Sequence, residues 1–290
     1  METVYLNGQF VSRDNAWISP DDRGFLFSDS VYEVVRCYGG FFFDMEGHMT
    51  RLRRSLAETR ITWNEIDAFP DVAGELITKN SLNDGCSLVY LQVTRGAAPR
   101  THAFPDPPVP PTVYAFARRQ SLDTLIWERG ISIEPVTDPR WNRCDIKSTA
   151  LLANILAYQT AHDKGFAEVC FIRDGFVTEG AHSNIFFVRN ETLYTHPESN
   201  IILSGITRKN VISLAADNNI ALVEEAVPAD MISYMHESFL TNTSGEVVPV
   251  IKIGDIVIGE GVPGMLTKKV QRLFREKVEA MALRQAQGPA

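Results

Sequence analysis

The sequence predicts a mixed α/β protein built from two packed domains. Three observations lead there. Its 290 residues exceed one average domain and fall short of three. Short runs rich in Val, Tyr, Leu and Phe alternate with helical periodicities along the chain. The stretch Arg118 to Asp123 breaks that alternation and divides it. It gives an N-terminal domain over 1–118, a linker over 119–123 and a larger C-terminal domain over 124–290.

In the N-terminal domain, Val4-Tyr5-Leu6, the turn Asn7-Gly8 and Phe10-Val11 read as a β-hairpin, because Asn-Gly suits two left-handed turn positions. Strand material follows at Val31 to Tyr38 and Phe41 to Phe43, split by Gly39-Gly40. His48 to Thr59 and Asp71 to Asn80 carry helical periodicity. Ser87 to Thr94 and Thr112 to Ala117 read as buried strands. Between them, Gly96 to Pro111 is too rich in proline for a helix, and its Arg100, His102 and Phe104 suggest a functional loop.

In the C-terminal domain, Ile131 to Val136 reads as a strand. Thr149 to His162 reads as a helix, closed by Lys164-Gly165. Val169 to Ile172 and Phe176 to Thr178 flank Asp174-Gly175, a hairpin signal. Strands are expected at Asn184 to Val188, Thr192 to Thr195 and Ser238 to Thr241. A helix is expected at Ile206 to Asp217, and Val262 to Leu283 contains the last one, with a frayed tail from Arg284.

The charge balance, 36 acidic against 28 basic residues for a net −8, argues against nucleic-acid or anionic-membrane partners. No apolar run approaches the roughly 18 residues of a membrane span. The start, Met1-Glu2-Thr3-Val4, lacks the basic and apolar regions of a secretory signal, so a cytoplasmic location is expected. Cys37, Cys86, Cys144 and Cys170 are scattered without a CxxC pair. That speaks against a metal centre and for reduced thiols.

Three elements carry chemistry. Lys147, in Arg143-Cys144-Asp145-Ile146-Lys147-Ser148, leads into the Thr149 helix and supplies an amine. Glu179 follows Phe176-Val177-Thr178 and supplies an anion. Gly205-Ile206-Thr207 opens a helix whose first amides lack partners, and Thr207 adds a hydroxyl. Singly each has a bland reading: a surface lysine, a solvated turn glutamate, an ordinary helix start. Together they are the groups that hold pyridoxal phosphate: an imine-forming amine, a partner for the ring nitrogen and a phosphate cradle.

Asp22-Arg23-Gly24, Asp29-Ser30-Val31-Tyr32-Glu33-Val34, Arg51-Leu52, Val93-Thr94-Arg95-Gly96, Pro99-Arg100, Cys144 to Ser148, Thr178-Glu179-Gly180 and Gly205 to Arg208 occur in order. From Tyr5 to about Lys277 the chain thereby resembles the fold-type IV pyridoxal-phosphate aminotransferases, most closely the D-amino acid aminotransferases. The resemblance implies a small N-terminal α/β sandwich, a larger barrel-like C-terminal domain supplying Lys147, and the cofactor at their interface. It implies that Lys147 forms the Schiff base and shuttles the proton, and that Glu179 faces the pyridine nitrogen. Arg51, Ile206, Thr207 and Thr243 would hold the phosphate, and Ser183 would contact the cofactor. Tyr32, Arg100 and His102 would trap the substrate carboxylate, the latter two arriving from the partner of a homodimer. Arg140 would lie near the lysine. The expected activity is ping-pong exchange between a D-amino acid and a 2-oxo acid such as 2-oxoglutarate or pyruvate. An L-branched-chain aminotransferase, an (R)-amine transaminase and an aminodeoxychorismate lyase are the rivals on this fold.

The chain departs from the pattern in places. Ala181-His182-Ser183 replaces a run of serines, putting a titratable ring at His182. Asn242 replaces a serine. Ser28 and Ser30 stand where glycines often flank the aspartate.

Overall fold

The structure, a computed structural model, describes residues 2–286, with side chains described to residue 284. The chain divides into two compact units after Ser121, and the short segment Ile146–Leu151 belongs with the first. No described helix is long and apolar enough to cross a membrane.

The first unit contains β1 (Thr3–Leu6), β2 (Gln9–Ser12), α1 (Arg23–Phe27), β3 (Ser30–Tyr38), β4 (Phe41–Phe42), α2 (Met45–Thr59), α3 (Phe69–Lys79), β5 (Cys86–Thr94) and β6 (Val113–Arg119). Its sheet runs β2-β1-β6-β5-β3-β4, with every pairing antiparallel. The β1–β2 turn takes left-handed Asn7 (φ 47°) and Gly8 (φ 89°), as the Asn-Gly signal predicts. α2 begins at Met45, earlier than periodicity suggests, because the Asp44 carboxylate caps the Gly47 amide at 3.1 Å. Along β3, Val31, Glu33, Val35 and Cys37 share a buried face, and α2 packs against this strand. The core beneath is apolar, with Leu52, Phe69, Leu76, Val89 and Leu91 at its centre.

β4 pairs only with Cys37 and Tyr38, so the first half of β3 keeps a free edge. The segment around Lys147 takes that edge. Ser148 bridges Val31, Tyr32 N–H donates to the Lys147 carbonyl at 3.0 Å, and Thr149 N–H donates to Ser30 at 3.1 Å. The helix predicted from Thr149 therefore starts at Leu152, and Lys147 lies in extended chain, not at a helix entrance. Lys147 consequently counts with the N-terminal unit, where the sequence had placed it in the C-terminal one.

The second unit contains α4 (Thr124–Arg129), β7 (Ile131–Thr137), α5 (Leu152–Asp163), β8 (Glu168–Arg173), β9 (Phe176–Val177), β10 (Asn184–Arg189), β11 (Thr192–Thr195), α6 (Ile206–Asp217), β12 (Leu222–Glu224), β13 (Glu237–Asn242), β14 (Glu246–Ile253), β15 (Ile256–Val257) and α7 (Met265–Ala286). Its sheet runs β12-β11-β10-β13-β14-β7-β8-β9, and β15 pairs with β14. β7 is parallel to both neighbours, which takes a crossover; α5 supplies the one to β8 and packs on both strands. Strands buried on both faces read as apolar runs, as in Asn184–Arg189. Phe186 and Phe239 stack across β10 and β13 at 4.8 Å. α7 starts at Met265 because Glu237 accepts from the Leu266 and Thr267 amides at 3.0 and 2.7 Å. It remains helical to Ala286, and the rest of the predicted frayed tail lies outside the described residues.

Candidate active site

In the first unit, Lys147 Nζ lies 4.2 Å from the centre of the Tyr32 ring, which itself stacks on Tyr90 at 5.8 Å. Lys147 is pinned by its backbone: its N–H donates to Ser55 Oγ on α2 at 3.3 Å. The Ser30 and Thr149 hydroxyls are hydrogen-bonded to each other. Ser30, a departure at the sequence level, thus helps to anchor the lysine segment.

His48, Arg51 and Ser55 line successive turns of the buried face of α2. Arg51 grips Glu33 on both oxygens, Nε to Oε1 and Nη2 to Oε2, each at 2.8 Å. His48 Nδ1 meets Glu33 Oε2 at 2.8 Å. Burial would raise the Glu33 carboxyl, but the Arg51 guanidinium and the hydrogen bonds from Arg51 and His48 hold it well below the usual carboxylate range. Burial pushes the His48 ring down. Arg51 is thus fixed by a carboxylate before any ligand meets it.

The loop from Gly96 to Thr112 is ordered by its neighbours. Arg100 and His102 are exposed and both lie against one ring, Phe27: the Arg100 guanidinium at 4.9 Å and the His102 ring at 5.7 Å.

In the second unit, Glu179 is buried just after β9 and faces three donors. Arg140 Nη1 reaches Oε1 at 2.5 Å; Asn184 Nδ2 and the Leu203 N–H reach Oε2 at 2.9 Å each. Burial pushes its carboxyl up to about 7 against the lowering pull of Arg140 and the Leu203 N–H. Arg140 is shared. Asp138 takes its Nε and Nη2 at 2.9 Å each, and the guanidinium lies 4.4 Å from the Phe171 ring centre. Arg140, expected near the lysine, is a direct partner of Glu179, a relation the sequence did not suggest.

Ile206 and Thr207 form the first turn of α6, where Gly205 is the N-cap and no side chain caps the helix among the described residues. Gly205 is required by close approach: a Cβ there would stand 2.0 Å from Asn184 Oδ1. α6 packs on β13, which leads to the turn carrying Thr243. Asn242 closes that turn, its Oδ1 accepting from Ser244 Oγ at 3.0 Å and the Gly245 N–H at 2.6 Å.

Ser183 and His182 converge on buried Glu168, Ser183 Oγ at 3.0 Å and His182 Nδ1 at 2.6 Å. The Ala181 amide joins them at 3.1 Å. Sequence reasoning missed Glu168, Glu33, His48, Asp138 and Asn184. The legible signals were a glutamate on the apolar face of β3, a His48-x-x-Arg51 spacing on the matching helix face, and the Asp138-x-Arg140 pair.

Residues 30–253 match the family of class IV amino-transferases. The chain is 38% identical over 281 residues to a D-alanine aminotransferase of Staphylococcus haemolyticus, covering 97% of this chain and 99% of that protein. A D-alanine aminotransferase of Bacillus licheniformis is 39% identical over 276 residues, covering 95% and 96%. The structure of the branched-chain amino acid aminotransferase of Escherichia coli superposes with a TM-score of 0.88 at 25% identity, over 95% of this chain and 94% of that one. A branched-chain amino acid aminotransferase from T.th., solved with pyridoxamine 5'-phosphate, shares the fold at a TM-score of 0.87 and 24% identity, over 96% and 94%. The chain belongs to the class IV aminotransferases and has their mixed α/β, fold-type IV architecture.

Proposed function

We propose that this enzyme transfers the amino group of a D-amino acid to a 2-oxo acid, with pyridoxal phosphate held by Lys147, Glu179, Arg51, Ile206, Thr207, Thr243 and Ser183. The side chains fit that cofactor. α6 opens on a glycine with no side-chain cap among the described residues, which suits a phosphate. Glu179 is a buried carboxylate raised by burial, which suits a cationic ring nitrogen. Lys147 stands over an aromatic ring with its backbone tied on both sides. When bound, the cofactor supplies an electron sink for the pair left at the substrate Cα.

The protein's own groups do the rest. Lys147 Nζ removes the proton from the substrate Cα, and Tyr32 lies close enough to orient that amine. Glu179, steadied by Arg140 and Asn184, keeps negative charge at the ring nitrogen. Arg100 and His102 bind the substrate carboxylate, a guanidinium offering two parallel donors and the imidazole a third group. The observation that carries the D-selective reading is the gathering of Arg100 and His102 on Phe27. The names of the two bacterial relatives support it. In this reading the enzyme is a homodimer, each loop serving the partner's substrate.

The test is the half-reaction. The purified yellow enzyme is mixed separately with D-alanine, D-glutamate, L-leucine and (R)-1-phenylethylamine, and the loss of visible cofactor absorbance is followed. Rapid loss with the D-acids alone, abolished by Lys147→Ala, is expected. Rapid loss with L-leucine or the amine instead overturns the substrate assignment and leaves the fold and cofactor untouched.

A further inference from the structure

Arg23 opens α1 and is buried, an uncommon place for an arginine. Its Nε donates to Asp29 Oδ2 at 2.8 Å. Its Nη1 reaches into the loop and donates to the carbonyl oxygens of Thr101 at 2.7 Å and Ala103 at 3.4 Å. Those two carbonyls bracket His102, and Thr101 directly follows Arg100.

The base of this clamp is itself fixed. Arg95 takes Asp29 from the other side, Nε to Oδ2 at 2.7 Å and Nη2 to Oδ1 at 2.9 Å. It also donates to the carbonyls of Thr59 and Arg60 at the end of α2, at 2.7 and 2.9 Å. Burial would raise the Asp29 carboxyl, but Arg95 and Arg23 hold it below its usual range. Phe104 packs the loop onto these arginines, its ring 3.5 Å from the Arg95 guanidinium, 4.8 Å from that of Arg60 and 6.0 Å from that of Arg23. Backbone bonds from Arg23 to Gly96 and from Ala98 to Asp21, at 3.0 and 3.2 Å, secure the loop's start.

We infer that Arg23, braced by Asp29 and Arg95, is a positioning residue for substrate recognition: it fixes the backbone on both sides of His102, so that Arg100 and His102 are presented as a preformed carboxylate-binding pair. The inference rests on the reading that these two residues bind the substrate carboxylate. A loop left to order itself on each binding event loses affinity for the entropy it gives up. The deficit falls on substrate binding, because Lys147 is held by other contacts, to Ser55 and β3.

The test uses the holoenzyme with D-alanine. Arg23→Lys keeps a cation beside Asp29, but one ammonium cannot span a carboxylate and two carbonyls. KM should rise about tenfold or more with kcat and the visible cofactor spectrum retained. The same change should add nothing in an Arg100→Ala/His102→Ala background, since both groups being positioned are gone. Unchanged KM, a fall in kcat at constant KM, or an effect that multiplies with the Arg100→Ala/His102→Ala pair overturns the inference. If Arg23→Lys does not fold, Phe104→Leu decides: it removes the ring that packs the loop against Arg95 and Arg23 while leaving the Arg23 hydrogen bonds to Asp29, Thr101 and Ala103 in place. A raised KM supports the inference and an unchanged one sinks it. Arg100→Ala alone reports on the underlying reading; unchanged D-alanine kinetics there remove the carboxylate assignment itself.

Discussion

Gly205→Ala is a one-carbon change whose effect can be worked from the structure. Its backbone, φ −69° and ψ 135°, suits any residue, so no conformational strain contributes. The cost lies in contact. The new Cβ would stand 2.0 Å from Asn184 Oδ1, whereas real Cβ contacts stay beyond 3.0 Å, so the amide must retreat by 1.0 Å. Asn184 Nδ2 is bonded to Glu179 Oε2 at 2.9 Å and to the Leu203 carbonyl at 2.8 Å, and that retreat breaks both. A hydrogen bond to a charged group contributes about 1.5–3 kcal/mol and a neutral one about 0.5–1.5 kcal/mol, so about 2–4.5 kcal/mol should be lost. Urea unfolding of the cofactor-free protein measures the loss, and equilibrium titration with pyridoxal phosphate measures the accompanying fall in affinity. Asn184→Ala provides the control. It removes the obstacle together with both bonds, so Gly205→Ala should cost little more on top of it. Additive losses would refute the reasoning, because they would mean that the glycine serves something other than room for Asn184.

Two further outcomes follow from buried charge and backbone. Glu33→Gln leaves Arg51 buried beside a neutral amide and should cost about 3–5 kcal/mol in urea unfolding at neutral pH. Glu33 is held below its ordinary value near 4.5, so its pairing stabilises fully above that pH and is lost as pH falls through the lower folded value. The gap between wild type and variant should hold steady from pH 7 to 5 and narrow only in stronger acid; a gap that closes between pH 7 and 5 contradicts the ion pair. Ser28 is left-handed at φ 55° as the C-cap of α1, which explains why a glycine suits that position. Ser28→Gly should raise the urea midpoint by up to about 1 kcal/mol of stability, and a lowered midpoint would show that the hydroxyl contributes more than the strain costs.

The sequence was legible where physics is local. Asn7-Gly8 and Asp174-Gly175 announce their hairpins, and Ile206–Asp217 is legible to the residue because glycine precedes it and Asn218-Asn219 follows. Legibility failed where a distant partner decides. The apolar run after Lys147 has helical composition from Thr149, but the free edge of β3 takes Ser148 and Thr149 first. Glu237 caps α7 from across the unit, with no local motif to betray it. The site divides in the same way. Lys147, Glu179 and Gly205 stand in short ordered motifs. Glu33 meets His48 and Arg51 across the fold, and Asp138, though beside Arg140 in the chain, gains its meaning only where Arg140 also reaches Glu179. His182 and Ser183 appeared as a substitution in a serine run, whereas their common role in this structure is to meet Glu168.

Two of the buried arginines, Arg51 and Arg140, show how the protein sets charge before a ligand arrives. Arg51 gives two donors to one carboxylate, and Glu33 is correspondingly held low. Arg140 is divided: Asp138 takes two of its nitrogens and Glu179 is met by one. Asp138 is also met by Arg173 at 3.0 Å, and its carboxyl is held low although burial would raise it. Glu179 is therefore the less fully compensated of the two acids, and its carboxyl is pushed up by burial as a result. A buried carboxylate short of positive charge attracts a cationic proton donor more strongly than one already neutralised by a bidentate arginine. On the proposed reading, the protonated ring nitrogen supplies the missing charge, and the sharing of Arg140 with Asp138 is what leaves room for it. Replacing Asp138 would let Arg140 turn wholly to Glu179, and the ring nitrogen would then meet a weaker partner although Lys147 and Glu179 were both unchanged.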